Sequence, residues 1–425
     1  MNKANICIFE DANYVNLLPL VYMRPVYELR CGIDLLMDKI IRKYPGSDII
    51  LLCRDYLADT LKEKHKYRVN PAKYPQGATL FINGRLLLNK TIAFAGKEEV
   101  VFSENSILYA RLGRENAGIM TSKNIISGEA LRVLKLRVPC REAADGKLFN
   151  YSWEFIKANA GQIRIDFKDI AGKGRILGKV FEGVHLINRK DIFIDKGAVI
   201  KPGVVLDAEG GPIYIGKGVK ILPNAVIEGP SYIGDKCTVK IGAKIYEGTS
   251  IGEVCKAGGE IEESIIHSYS NKQHEGFLGH AYIGQWCNIA ADTNDSDLKN
   301  NYSNVRVYVN GKFVDTGEMF VGLTMGDHSK TGINSMFNTG TVVGINVNIF
   351  GAQLPPKFVP SFTWGASGAF VVYQPDKALK VAERVMARRK VELTNAQKEL
   401  FRYLYKLTEK ERVLTRIEGD LSLGE

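Results

Sequence analysis

The sequence predicts three parts: a Rossmann-like α/β domain, a parallel β-solenoid and a helical C-terminal segment. Short continuous apolar runs alternate with helical spacing near the N-terminus, an apolar residue recurs at every sixth position in the middle, and many of the 42 glycines are spaced regularly there. At about 150 residues per domain, 425 residues correspond to two or three domains. With 45% hydrophobic and 24% charged residues, the composition is globular and excludes wholesale disorder.

The first domain, residues 1–172, follows from a strand-helix-strand order. Continuous apolar runs of this length are typical of buried parallel strands. Asp34–Tyr44 and Asp55–His65 have helical spacing, and the strands are Ile6–Phe9, Ile49–Cys53 and Thr79–Ile82. In such sheets ligands bind at the carboxyl ends of the strands.

The second domain, residues 173–372, follows from the period of six. Neither a helix nor a simple strand alternation has this period. Short parallel strands stacked in a prism do have it, with one aliphatic residue of each strand directed inward. The residues in phase are Ile194, Ile200, Leu206, Ile215, Ile221, Ile227, Ile233, Val239, Ile245, Ile251, Ile283, Ile289, Met325, Thr331, Phe337, Val343 and Ile349.

Two stretches interrupt the period, and we expect both to be loops that leave the solenoid. They are Ala257–Tyr282 and Asn294–Gly322, and the second contains a predicted hairpin, Val305–Phe313, around Asn310-Gly311. Loops on a rigid scaffold often carry binding residues. The third part, residues 373–425, is helical in composition over Asp376–Glu418, and its basic run Arg388–Lys390 is either a solvated face or a phosphate contact.

Charge and cysteine content limit the partners. A net charge of +10 favours anionic small molecules over nucleic acid, because the basic residues are dispersed without a recognition motif. Seven cysteines without a Cys-x-x-Cys pair indicate reduced thiols in a cytoplasmic protein. No apolar run is long enough to span a bilayer, and no secretory signal is expected.

The repeat resembles the hexapeptide-repeat, left-handed β-helix family, which implies a homotrimer with sites between neighbouring solenoids. A Rossmann-like domain before such a helix resembles the sugar-nucleotide pyrophosphorylases with a solenoid tail, and most closely the bifunctional family that makes UDP-N-acetylglucosamine. In that family the N-domain transfers uridylyl to a sugar 1-phosphate and the solenoid acetylates glucosamine-1-phosphate. The segments that carry the resemblance are Phe9–Asp11, Leu18–Leu20, Arg24–Gly32, Ser270–His274 and Phe277–Gly279.

This resemblance implies that His274 is the general base of acetyl transfer. The sugar's ammonium must lose a proton before its nitrogen attacks the thioester, and an imidazole suits that step. The implied sugar-phosphate contacts are Lys256, Lys272, Asn288, Asn301, Tyr302 and Arg306, and the implied acetyl-CoA contacts are Ala291 and Gly351. The sequence departs from the family at Phe277, where the family has tyrosine, and at Glu262, where a lysine is expected.

The resemblance further implies nucleotidyl transfer from UTP or another NTP in the N-domain, with Mg²⁺. The nucleotide-binding candidates are Glu10, Asp11, Arg24, Arg30 and Asn83. The stretch Glu10–Leu18 contains no glycine, unlike a phosphate-binding loop. Arg85 follows Asn83-Gly84 where the family has a magnesium-binding aspartate, so the metal ligands are unknown.

Three alternatives remain open. One is nucleotidyl transfer alone, with the solenoid serving only for trimerisation. Another is a zinc-dependent hydro-lyase of the solenoid carbonic anhydrase type, with ligands drawn from His267, His274, His280 and His328. The third is a purely structural protein.

Overall fold

A computed structural model describes residues 4–143, 148–171 and 173–415. The chain forms two compact units. The first comprises the residues up to Leu17, Met23–Leu29 and Asp34–Tyr151. The second comprises Leu18–Tyr22, Arg30–Ile33 and the chain from Ser152 onward.

The first unit is an α/β domain, as the sequence predicts, and its described residues form a seven-stranded mixed sheet with helices. Its first strand in the chain, Asn5–Phe9, pairs in parallel with Asp48–Leu52 on one side and Thr79–Asn83 on the other. The other strands are Arg68–Val69, Glu99–Ser103, Ser106–Leu112 and Cys140–Glu142. The helices are Leu36–Lys43, Ala58–Lys64, Arg114–Ala117, Ser122–Ile126 and Glu129–Leu134, with 3-10 turns at Ala12–Leu17, Val26–Glu28 and Asp55–Leu57.

The second unit is built on a three-sided parallel β-helix, and the predicted left-handed β-helix class is confirmed. Its first sheet contains Ile192–Ile194, Ile213–Ile215, Ser231–Ile233, Thr249–Ile251, Ile265–Ile266, Tyr282–Ile283, Thr324–Met325, Val342–Val343 and Phe358–Val359. Its second contains Lys179–Val180, Val199–Ile200, Lys220–Ile221, Thr238–Val239, Lys256–Ala257, Asn271–Lys272, Asn288–Ile289, Lys330–Thr331, Asn348–Ile349, Thr363–Ala366 and Ala369–Val372. Its third contains His185–Ile187, Val205–Asp207, Val226–Glu228, Lys244–Ile245, Glu260–Glu262 and Phe277–Gly279, and the pair Asn294–Asp295 and Met336–Phe337 follows it.

The period of six is the inward side of these strands. Ile213 pairs with Ser231 and Ser231 with Thr249, so a regular coil has 18 residues, six for each of its three sides. The residues in phase form one apolar column that runs through the helix, in which Ile215, Ile221 and Ile227 have no exposed surface. Each coil therefore buries its apolar side chains against the coils above and below.

The first predicted interruption is wrong, because Ala257–Tyr282 continues the coil. Lys256 pairs with Asn271 and Asn271 with Asn288, so these two coils have 15 and 17 residues. Shorter turns move the apolar phase without ending the stack. Ile261, Ile266 and Leu278 are therefore buried in the same column as the regular coils.

The second interruption does leave the coil. It starts after Asn294–Asp295 and contains the predicted hairpin, which the structure forms from Arg306–Val309 and Lys312–Asp315. At its base, the Val321 amide donates to the Asp297 carbonyl oxygen at 2.9 Å. The insertion therefore lies at the corner between the third and first sheets.

Among its described residues, the second unit has four α-helices, Ser152–Ile170, Pro375–Ala387, Asn395–Leu407 and Glu409–Leu414, with a 3-10 turn at Arg189–Asp191. The sequence placed the first of these in the N-terminal domain, whereas the compact units place it with the β-helix. The predicted C-terminal helical segment extends to Glu418, and its last three residues lie outside the described ones. Within the described chain, no helix combines the length and apolar character needed to cross a membrane.

Two short early segments belong to the second unit. The Gly32 amide donates to Asn159 Oδ1 at 2.6 Å, and Ser250 Oγ donates to the Gly32 carbonyl oxygen at 2.9 Å. The Arg30 amide donates to the Tyr282 hydroxyl at 2.8 Å. Backbone groups of Arg30–Ile33 therefore complete this unit.

Candidate functional site

His274 lies on a tight corner between the second and third sheets. We call Gln273–Gly276 the His274 turn. The His274 side chain is exposed, and none of the described residues forms a hydrogen bond with its imidazole. The turn is anchored through its backbone, because the Gly258 amide donates to the Lys272 carbonyl oxygen at 2.6 Å and the Asp292 amide to that of Glu275 at 2.9 Å. The imidazole therefore faces outward from a firmly held corner.

The predicted acetyl-CoA contacts lie on the same corner, in the coils that follow. The Asn334 amide donates to the Ala291 carbonyl oxygen at 2.9 Å, which joins two further turns of the corner. Phe350-Gly351 forms the next turn, since a Cβ added at Gly332 would lie 2.7 Å from Phe350 Cβ. The structure therefore brings His274, Ala291 and Gly351 onto one edge of the β-helix.

Four basic side chains lie beside this edge. We call them the basic cluster: Lys240, Lys256, Arg388 and Arg389. Arg389 Nη2 donates to Asn271 Oδ1 at 2.7 Å, and Asn271 pairs with Lys256. Burial lowers the pKa of Lys256, and the positive charges of Arg389, Lys240 and Arg388 lower it further. The cluster is suited to an anion.

Lys240 is the member of the cluster that the sequence did not single out. It lies two coils before the His274 turn, because a Cβ at Gly258 would meet the Lys240 Cβ at 3.1 Å and the Gln273 carbonyl oxygen at 2.6 Å. Two coil spacings correspond to about 10 Å. The missed signal is its position immediately after Val239, which lies in the buried apolar column of the β-helix.

Asn288, a predicted sugar contact, extends the polar surface beside the basic cluster. It is half-buried, and its Oδ1 accepts a long hydrogen bond of 3.4 Å from Asn271 Nδ2. Since Asn288 pairs with Asn271 and Asn271 with Lys256, these three residues stand one above another on the second sheet. This places an amide beside the cations.

The predicted contact of Lys272 with sugar phosphate is wrong. Its side chain is 1% exposed and occupies an inward position of the coil. Nζ donates to the carbonyl oxygens of His274 at 2.6 Å, Glu275 at 3.1 Å and Gly258 at 3.4 Å. An ammonium whose donors all bind the protein's own backbone does not face a substrate.

Asn301, Tyr302 and Arg306 lie in the insertion, at a different corner from His274. Asn301 Oδ1 accepts from the Ser303 amide at 3.1 Å, and Tyr302 is 67% exposed. Arg306 Nη2 donates to the Phe313 carbonyl oxygen at 3.3 Å. One chain therefore does not bring these three residues to the His274 turn.

In the first unit, Glu10 forms a buried ion pair with Arg54. It is 1% exposed, and its Oε1 accepts from the Arg54 amide at 2.7 Å and from Arg54 Nε at 2.8 Å. Tyr14 and Tyr56 stack on the same guanidinium, with its carbon 4.1 Å and 5.1 Å from the ring centroids. Glu10 therefore has its charge offset within the protein.

Asp11 is held in the same way by Arg85. Arg85 Nε donates to Asp11 Oδ1 at 2.8 Å and Nη2 to Oδ2 at 2.7 Å, while Asn83 Nδ2 donates to Oδ2 at 2.8 Å. Arg85 has no exposed surface, and its Nη1 donates to the Phe149 carbonyl oxygen at 3.0 Å. Asp11, Asn83 and Arg85 thus form one closed polar network at the strand ends.

The fit of magnesium follows from these pairs. Mg²⁺ needs oxygen ligands that are free to approach it. Both carboxylates after the first strand bind arginines, and the described residues contain no group of three or more His, Cys, Asp or Glu that could hold a metal ion. The arrangement does not fit the ion, so we derive no step through it.

A cavity of about 170 Å³ opens beside Asp11 at the strand ends of the first unit. The described residues that line it are uncharged apart from Asp11; the polar ones are Asn13, Asn105, Ser106 and Ser127, and no described lysine or arginine is among them. Such a lining suits a nucleoside or a sugar better than a triphosphate.

Arg24 and Arg30, which the sequence predicts to bind nucleotide, are not among the described residues that line this cavity. Arg24 is buried, and its carbonyl oxygen accepts from Arg54 Nη2 at 2.8 Å. Arg30 belongs to the second unit, where its Nη2 lies 2.6 Å from Glu253 Oε1. The prediction that Arg30 binds nucleotide is therefore wrong, because its charge is used inside the β-helix unit.

The histidines of the zinc alternative do not form a cluster among the described residues. His267 Nδ1 accepts from the Ser268 amide at 2.9 Å, His280 lies between Asp297 and Glu263, and His328 stacks on Trp286. This alternative has no support in the described geometry.

Comparisons with known proteins agree with the predicted resemblance. Residues 6–175 match the family described as sugar nucleotidyl transferase. The bifunctional protein GlmU of Synechococcus elongatus is 30% identical over 199 residues, which is 42% of this chain and 40% of that protein. The bifunctional sugar-1-phosphate nucleotidylyltransferase/acetyltransferase of Sulfurisphaera tokodaii is 31% identical over 91 residues, 21% and 23% of the two chains. The chain thus spans less than half the length of these curated relatives.

Among solved structures, the UDP-N-acetylglucosamine acyltransferase of Francisella novicida is 15% identical with a TM-score of 0.26. The match covers 57% of this chain and 88% of that one. A likeness this weak carries no argument about activity. The sequence comparisons support the transferase class: residues 6–175 match the sugar nucleotidyl transferase family, and part of the chain is similar to bifunctional GlmU proteins.

Proposed function

We propose that the β-helix transfers an acetyl group from acetyl-CoA to the amino group of a hexosamine 1-phosphate, glucosamine-1-phosphate in the first instance. The observation that carries the proposal is the exposed His274 on a rigid corner, with Lys240 of the basic cluster two coils, or about 10 Å, away. A hexosamine 1-phosphate has its amine and its phosphate on neighbouring ring carbons. A base and a cationic group on one edge are suited to these two groups.

His274 takes a proton from the sugar's ammonium, which leaves a nucleophilic amine. The amine nitrogen forms a bond to the thioester carbonyl carbon, and the carbon–sulfur bond then breaks. The thiolate of coenzyme A leaves and takes up a proton, and the product is an amide. Lys240 and Lys256 hold the phosphate throughout the reaction.

The exposed residues of this edge support a homotrimer as part of the proposal. Ile241 is 64% exposed, Ile333 68% and Phe350 41%, and all three lie along the corner of the His274 turn. Apolar side chains aligned in this way favour burial against another chain. A second copy would bring its insertion, with Asn301, Tyr302 and Arg306, opposite His274.

For the first unit we propose sugar 1-phosphate nucleotidyl transfer, with UTP or another NTP as donor. The family match over residues 6–175 supports it, and the cavity beside Asp11 would take the nucleoside or sugar part. The carboxylates paired with arginines weigh against turnover in this arrangement. Two alternatives remain to be tested. In one, the protein carries out only nucleotidyl transfer and the solenoid serves for trimerisation; in the other, it carries out only acetyl transfer. A cytoplasmic location stays a prediction.

The test measures both reactions on the same protein. Acetyl-CoA consumption is followed with hexosamine 1-phosphates, and pyrophosphate release with each of the four NTPs plus hexose, hexosamine or N-acetylhexosamine 1-phosphates. We expect His274→Ala to abolish acetyl transfer and leave any pyrophosphate release unchanged. His185→Ala is the control, because His185 is an exposed histidine elsewhere on the β-helix. Wild-type protein without acetyl transfer would reject the first part of the proposal.

A further inference from the structure

We propose that Lys272 is a positioning residue, whose buried ammonium holds the His274 turn and thereby orients the imidazole. The inference rests on the proposed acetyl transfer. It assigns a role to a charged side chain that occupies a core position of the β-helix.

The position itself calls for an apolar side chain. Lys272 stacks between Ala257 of one neighbouring coil and Ile289 of the other, and aliphatic residues fill most of this column. Burying an ammonium is unfavourable unless its donors are satisfied. Packing alone therefore does not account for a lysine at this place.

The ammonium meets the backbone of the turn at its centre. Its shortest hydrogen bond, 2.6 Å, goes to the carbonyl oxygen of His274, and a second of 3.1 Å goes to Glu275. The Glu275 carbonyl also accepts from the Asp292 amide, whereas no other described residue donates to that of His274. The peptide that carries the imidazole is therefore fixed by Lys272.

Two glycines, Gly259 and Gly276, pack closely around the hydrogen bond between Lys272 and the His274 carbonyl oxygen. Gly259 has φ +71°, and a Cβ there would lie 2.8 Å from Lys272 Nζ and 2.6 Å from the His274 carbonyl oxygen. Gly276 has φ +114°, and a Cβ there would lie 2.2 Å from the Thr293 carbonyl oxygen. Neither glycine position therefore has room for a side chain, and the Gly259 backbone lies directly against the ammonium.

Several charges face the ammonium. Burial lowers the pKa of Lys272 to about 8, although Glu275, Asp292 and Asp295 raise it; Lys244 lowers it slightly. At neutral pH the group is mostly charged, so it acts on the turn by its charge as well as by its hydrogen bonds. Replacing it changes the field at the imidazole and leaves the other four groups in place.

The experiment compares Lys272→Met with wild type, and Ile289→Met is the matched control in the same column. Methionine fills the core position without a donor, so we expect the variant to remain folded. We expect kcat for acetyl transfer to fall about tenfold or more, with KM for acetyl-CoA changed by less than about twofold. The acidic limb of the pH profile of kcat should move to higher pH, since a positive charge near the base is lost. A merely structural role would not move that limb.

Hydrogen–deuterium exchange of the peptide 270–280 gives a readout that needs no activity. Faster exchange in Lys272→Met but not in Ile289→Met supports the positioning role. Unchanged exchange overturns it, and so do an unchanged kcat and pH profile in an active enzyme. If the wild type transfers no acetyl group while exchange responds as expected, the proposed function fails and the hold of Lys272 on the turn stands.

Discussion

Arg85 binds both carboxylate oxygens of Asp11, through Nε at 2.8 Å and Nη2 at 2.7 Å. The two side chains are 0% and 8% exposed, so this ion pair is buried at the end of the first strand. Removing one partner leaves the other charge buried without compensation. We expect Arg85→Met to lower the free energy of unfolding of the first unit by about 3–5 kcal/mol, measured by urea denaturation.

Arg132→Met is the control for this prediction, because Arg132 and Glu129 form an exposed pair in the same unit. An exposed pair contributes little to stability, so we expect this variant to unfold like wild type. If both variants changed the stability equally, the buried network would not stabilise the strand ends in the way we describe.

The basic cluster predicts a substrate effect. Lys240→Ala and Lys256→Ala should each raise KM for the sugar phosphate about tenfold, because one charge contact to phosphate is lost. Lys217→Ala is the control, since Lys217 is exposed on a different turn of the β-helix. Steady-state kinetics with varied sugar phosphate measures the change, and equal KM values in the three variants would remove the cluster from the binding site.

Two glycines with nearly the same backbone predict different outcomes on substitution. Gly259 has φ +71° and Gly242 has φ +66°, yet a Cβ at Gly259 collides with the His274 turn while one at Gly242 meets nothing within 4 Å. Both alanine variants carry the strain of a left-handed backbone. Only Gly259→Ala should also reduce acetyl transfer, by about tenfold or more, as measured at saturating substrate. Equal losses would show that backbone strain alone matters.

His280 predicts a pH dependence of stability. Burial lowers the pKa of His280, but hydrogen bonds to Asp297 and Glu263 outweigh it and raise the pKa to about 9. Because the folded pKa exceeds the unfolded value of about 6.5, the contribution is full below pH 6.5 and is lost as pH rises through 9.

The variant His280→Gln should therefore be less stable than wild type by about 2–3 kcal/mol at pH 6 and nearly equal to it above pH 9. Thermal or urea unfolding over this range measures the difference, with His185→Gln as the exposed control. A constant difference at every pH would contradict the ionic origin of the contribution.

The sequence was sufficient to predict the solenoid because a period of six has one simple physical cause. Counting by six from Ile266 also reaches Lys272 and then Leu278, so the inward position of this lysine could have been found. A lysine near a candidate base instead suggests a phosphate contact, because an ammonium satisfied by carbonyl oxygens is rare in a core.

Other contacts could not be predicted in this way. The pairing of Arg30 with Glu253 joins residues far apart in sequence, and no local pattern marks either of them. The insertion at Asn294–Gly322 could be located from the lost period, but the corner from which it projects depends on the lengths of the preceding coils. The Asp11–Arg85 pair likewise depends on two strand ends that meet only in the folded sheet.

The hydrogen bond between the Arg30 amide and the Tyr282 hydroxyl spans 252 residues. At a synthesis rate of about 5–20 residues per second, Arg30 is synthesised roughly 10–50 s before Tyr282. A fragment that starts after residue 172 would lack Arg30 and therefore its hydrogen bond to the Tyr282 hydroxyl. The β-helix expressed without the N-terminal residues should therefore be less stable than the same β-helix in the whole chain.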